Sequence, residues 1–127
     1  MAEAGDTAPD IVRRGRTKGG SAAVVHNGLV YVGGVVADHP RVDMAAQTSQ
    51  IAAKLDELLA ANGSDKTRIL SATVLLTDPA AKPQMNRVWN DWLGEDNLPA
   101  RHAVVVRGNE EGGLVEVALI AAQHKET

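Results

Sequence analysis

The sequence has 127 residues, of which 44% are hydrophobic and 23% charged, and a formal net charge of −3. These are the proportions of one ordinary globular domain, long enough to bury a core without disulfides or metal. It contains no cysteine, which excludes disulfides, thiolate catalysis and cysteine-ligated zinc.

Nucleic acid is not an expected partner. The whole is mildly acidic, and the densest basic cluster is only Arg13-Arg14-Gly15-Arg16-Thr17-Lys18. No apolar run approaches the roughly 18 residues of a membrane span. The opening residues Met1–Asp6 hold no apolar stretch of the secretory kind, so the expected compartment is the cytoplasm. Aromatics are scarce: Tyr31, Trp89, Trp92 and no Phe. The core must be built from Val, Leu, Ile and Ala.

Residues 1–9 are small and polar and are expected to fray. Residues 10–16 suit a short edge strand. Next come two β-branched runs, Ser21 to His26 and Leu29 to Val32, joined by Asn27-Gly28. Asn-Gly between such runs predicts a hairpin. Gly33-Gly34 marks a place where the backbone bends or comes close to something.

Asp43 can cap a helix over about 43–62. Met44, Gln47, Ile51, Leu55, Leu58 and Leu59 follow at helical spacing, and Asn62-Gly63 is a stop. Ile69 to Leu76 is apolar on both faces and predicts a strand buried on both sides. Pro83 suits the first turn of a second helix. Met85, Val88, Trp89, Trp92 and Leu93 form its apolar stripe, and Gly94 ends it. Arg101 to Val106 reads as a strand, Arg107 to Gly113 as a turn, and Leu114 to Ala122 as a final strand.

This order predicts an α+β fold, a mixed sheet with two helices on one face. The other face has no helix left to cover it, although its strands carry apolar residues there. That mismatch predicts an oligomer.

Few residues stand out chemically. His26, His39, His102 and His124 are too scattered for a metal site. Arg101 opens a strand just after Pro99-Ala100. Glu116 lies inside Leu114-Val115-Glu116-Val117-Ala118-Leu119-Ile120, where a lone carboxylate needs a partner or a cleft. One reading is an Arg101–Glu116 ion pair fixing adjacent strands. The other is a site: the guanidinium fork holds a ligand carboxylate in two charge-assisted bonds, and Glu116 moves or orients a proton. Asn86, on the second helix, is a third candidate.

Together these residues resemble the RidA (YjgF-like, reactive intermediate deaminase) family from about Ser21 to Ala122. The resemblance is carried by Ala23 to Tyr31, Gln47-Thr48-Ser49-Gln50-Ile51, Ala72 to Asp78, Met85-Asn86, Pro99-Ala100-Arg101 and Val115-Glu116-Val117. It implies a chorismate-mutase-like fold and a homotrimer with clefts between subunits. It also implies hydrolysis of 2-imino or 2-enamino acids to 2-oxo acids and ammonia, without cofactor or metal.

By position, Arg101 matches the family's carboxylate-binding arginine and Glu116 the glutamate that orients water or shuttles a proton. Asn86 matches an asparagine near the cleft. Ala103 stands where cysteine is common and offers backbone groups only. Lys18-Gly19-Gly20 replaces the usual Gly-Pro-Tyr, and Gly33-Gly34-Val35 replaces Ser-Gly-Gln, so a tyrosine and a serine hydroxyl are missing and the cleft is wider. The competing reading is a trimeric protein that binds a small carboxylate without turning it over. A ribonuclease reading, attached to some relatives, is disfavoured by the acidity, the few aromatics and the lack of a histidine pair.

Overall fold

A computed structural model describes residues 10–108 and 112–125. The fraying expected of residues 1–9 and the middle of the turn expected over 107–113 lie outside the described residues. The strands are β1 (Val12–Arg16), β2 (Ser21–His26), β3 (Leu29–Val36), β4 (Ile69–Leu76), β5 (Ala100–Val105) and β6 (Val115–Ala122). The helices are α1 (Met44–Ala61) and α2 (Lys82–Leu93).

All six strands form one sheet in the order β1-β2-β3-β6-β4-β5. Among the described residues only β4 and β5 pair in parallel. A parallel pair needs a crossover, and α2 supplies it. The fold is the mixed α+β arrangement expected.

Local chemistry accounts for the elements. Asn27 and Gly28 have φ of 56° and 77°, the left-handed pair of a type I′ turn, and His26 faces Leu29 across it. Asp43 caps α1 by accepting from Ala46 N at 2.9 Å. The buried side chains Met44, Gln47, Ile51, Leu55 and Leu59 recur on one side of that helix. Pro83 sits in the first turn of α2, and Gly94 ends it at φ 78°. Met85, Trp89 and Leu93 join the α1 residues in one core against the inner sides of β3, β4 and β6.

One expectation fails within the chain. β4 is buried on one side only. Ile69, Ala72, Val74 and Leu76 are buried, but Leu70 is 49% exposed and Ser71, Thr73 and Leu75 are half-buried. Both helices lie on the same face, so among the described residues no helix covers the other. Tyr31 and Val104 are exposed on that open face too.

Gln47 ties the elements together. Its fully buried side chain donates from Nε2 to Pro40 O (2.8 Å) and Val42 O (3.2 Å). Its Oε1 accepts from Leu114 N at 2.8 Å, just ahead of β6. Truncation would strand three backbone groups. Gln47→Ala should therefore lower unfolding free energy by about 3 kcal/mol, at roughly 1 kcal/mol per lost bond. Urea denaturation checks this, and a loss under about 0.5 kcal/mol would show that water replaces the bonds.

Candidate functional site

Arg101 is on β5, opposite Ala72 of β4, on the helix-covered side. Its Nη2 donates to Asn86 Oδ1 at 2.6 Å, and its Nη1 points at Met85 Sδ at 3.5 Å. The guanidinium carbon lies 5.7 Å from the centre of the Trp89 ring, within cation–π range. Partial burial lowers its pKa from the usual arginine value. A guanidinium has five N–H donors. Two are used here, so three remain without a protein acceptor among the described residues. Asn86 and Arg101, both named from sequence, are thus brought together. Ala103, two residues along the same face of β5, packs at the edge of the core.

Glu116 is on β6, opposite Val36 of β3 and Leu75 of β4. It alternates with the buried Val115 and Val117 and so faces the open side. It is half-buried and has no hydrogen-bond or ion-pair partner among the described residues. Room for it comes from the bulge at Gly33-Gly34, where the β3–β6 register shifts between Val32 and Val35. A Cβ on Gly34 would overlap the Glu116 carboxyl group, lying 2.8 Å from its carbon. A side chain at position 34 would force the Glu116 carboxyl group to move.

The ion pair considered from sequence does not form. β5 and β6 are not adjacent, because β4 lies between them. Leu75 pairs with both Glu116 and Val104. Arg101 is therefore two strand spacings and three residues away, on the order of 14 Å between backbones. The two side chains also point to opposite faces of the sheet.

Gly33 lies elsewhere, in a cleft of about 440 Å³ between the β2–β3 end of the sheet and α1. Thr17, Ser21, Lys54, Glu57 and Leu58 share that cleft. Lys54 closes one wall, donating to Val36 O (2.9 Å) and Asp38 Oδ1 (2.8 Å). Within one chain Gly33 is near Glu116 but remote from Arg101. Among the described residues no three His, Asp or Glu side chains gather to hold a metal.

Sequence reasoning missed Trp89 as the surface on which Arg101 rests. It also missed the bond from Trp92 Nε1 to the Asp56 carboxylate, at 3.1 and 3.2 Å. A signal was present: two of the three aromatic residues in the chain sit on α2, and Trp89 lies three residues from Asn86, on the same side of the helix.

Comparison with known proteins places these features in context. The family model described as Endoribonuclease L-PSP matches residues 17–123. A RutC family protein of Haemophilus ducreyi is 36% identical over 102 residues, covering 80% of this chain and 87% of that protein. A 2-iminobutanoate/2-iminopropanoate deaminase of Rattus norvegicus is 31% identical over 109 residues, covering 81% and 79%. The crystal structure of a YjgF-family protein of Neisseria meningitidis superposes with a TM-score of 0.85 at 35% identity, covering 92% of this chain and 98% of that one.

The wall formed by Lys54 makes a prediction. Its hydrogen bond, and then its charge, hold the Asp38 carboxyl below the ordinary carboxylate value. Because the folded value is depressed, the pair's contribution to stability is present above the ordinary value. It is lost as pH falls through the depressed one. Lys54→Met should return Asp38 to the ordinary range in a carboxyl ¹³C NMR titration. An unchanged midpoint would mean that Lys54 does not set it.

Proposed function

Because the chain belongs to the endoribonuclease L-PSP (RidA/YjgF) family, we propose that it hydrolyses small 2-imino and 2-enamino acids to 2-oxo acids and ammonia. It does so in the cytoplasm as a homotrimer, in clefts between subunits. The observation that carries this reading is the unfinished state of two charged groups. Arg101 has donors to spare, and Glu116 has no partner among the described residues. One chain cannot bring them to one ligand, because its sheet stands between them. Pairing the open face of one copy with another supplies the missing half and covers the exposed apolar side chains. Likeness to a named imine deaminase supports the choice of substrate.

In this mechanism the Arg101 fork takes the substrate carboxylate in two parallel bonds. Asn86 and Trp89 hold the guanidinium on its far side. The protonated imine carbon is already electrophilic, so positioning is the main requirement. Glu116 of the partner subunit orients water and accepts a proton as the oxygen bonds to that carbon. The proton then passes to the nitrogen. The C–N bond breaks with its electron pair leaving on ammonia, and loss of the hydroxyl proton completes the 2-oxo acid. The net change is one water consumed and one ammonia released. Glycine at positions 20 and 33 and alanine at 103 add no side-chain chemistry, which favours the alternative of a carboxylate-binding protein without turnover.

An assay that generates 2-iminobutanoate in situ separates these readings. The protein should speed formation of 2-oxobutanoate. Arg101→Ala should lower kcat/KM about 100-fold, two factors of ten at about 1.4 kcal/mol each for a lost charge-assisted pair. Glu116→Gln should lower kcat while leaving affinity for 2-oxobutanoate nearly unchanged. Full activity in the Arg101→Ala variant would overturn the mechanism. Ligand-dependent thermal stabilisation without any acceleration would establish the binding protein instead.

A further inference from the structure

Arg101 is the last member of a contact chain that begins on the other helix. Asp56 is on α1, and both of its carboxylate oxygens lie in reach of Trp92 Nε1, at 3.1 and 3.2 Å. The Trp92 ring meets Trp89 edge to face, with centroids 5.6 Å apart and planes inclined at 65°. Trp89 is nearly buried, and the Arg101 guanidinium lies over its ring at 5.7 Å. Each step has a preferred geometry. The hydrogen bond restrains the tilt of Trp92, the edge-to-face contact relates the two rings, and the cation is drawn to the ring face. Asn86 Oδ1 and Met85 Sδ take the two terminal nitrogens of the fork and leave tilt about the line between them open. The indole face removes that freedom.

We propose that Asp56 is a positioning residue for Arg101: through Trp92 and Trp89 it sets the plane in which the guanidinium presents its three remaining N–H groups. The consequence for ligand affinity rests on the function proposed above; the positioning itself does not. Asp56 is exposed and hydrogen-bonds to Trp92 rather than to Arg101, so its effect is on affinity rather than on the chemical step.

The test uses Asp56→Ala and Asp56→Asn, changes at an exposed position that remove no atom of the core. The first reading is by NMR without ligand. Ring current from Trp89 should shift the Arg101 Nε–H resonance of the wild type upfield. Asp56→Ala should move it toward the position of a free arginine. Asp56→Asn keeps an acceptor for Trp92 and should hold it in place. The second reading is affinity. Asp56→Ala should raise the Kd for 2-oxobutanoate and the KM about fivefold with kcat unchanged, and Asp56→Asn should restore both.

An Arg101 resonance that ignores Asp56→Ala overturns the inference, as does an Asp56→Asn variant no better than Asp56→Ala. A wild type that binds no 2-oxobutanoate, with the resonance still moved by Asp56→Ala, overturns the proposed function and upholds the positioning.

Discussion

The sheet is a wall between the two charged groups that matter most. Arg101 stands on its helix-covered side and Glu116 on its open side, with β4 between their strands. The helix side is a finished core in which α1 and α2 pack Leu, Ile, Met and Trp against the inner strand residues. The open side is unfinished, with Leu70, Tyr31 and Val104 exposed and a half-buried carboxylate among apolar neighbours. A lone carboxylate in such surroundings is costly unless something pairs with it. A second copy that covered the open face would reduce the apolar cost and bring a cation to Glu116 together.

The two halves are prepared differently. Arg101 is held from behind by Asn86 and Trp89, so its spare donors are already oriented. Glu116 is given space: within the Gly33-Gly34 bulge, the absence of a side chain at Gly34 leaves room for its carboxyl group. Gln47 links the loop before α1 to the start of β6, the strand that carries Glu116. A fixed cation and a carboxylate with room around it suit a reaction in which one group anchors and the other handles a proton.

Much of this was legible in the sequence because it is local. The Asn27-Gly28 turn, the Asp43 cap, the Pro83 start and the Gly94 stop each depend on residues within a few positions, and each appears where the spacing places it. The open face was legible too, from a simple shortage of helices. Strand order was not. β6, last in the chain, inserts between β3 and β4, and no local pattern encodes that insertion. The supposed neighbours Arg101 and Glu116 were separated for this reason. Trp89 was read as core, which it is, but burial and support of a cation are not exclusive for an indole. The apolar outer side of β4 was read as buried because sequence reports what a face requires, without saying which chain supplies it.

The central claim is that one site takes Arg101 from one subunit and Glu116 from another. Co-assembly of Arg101→Ala and Glu116→Ala subunits tests it directly. If subunits mix at random in a ring, about a quarter of the sites receive both native residues. The account predicts deaminase activity near that fraction of the wild type from two variants that are each far below it alone. A mixture no more active than either variant by itself would contradict it.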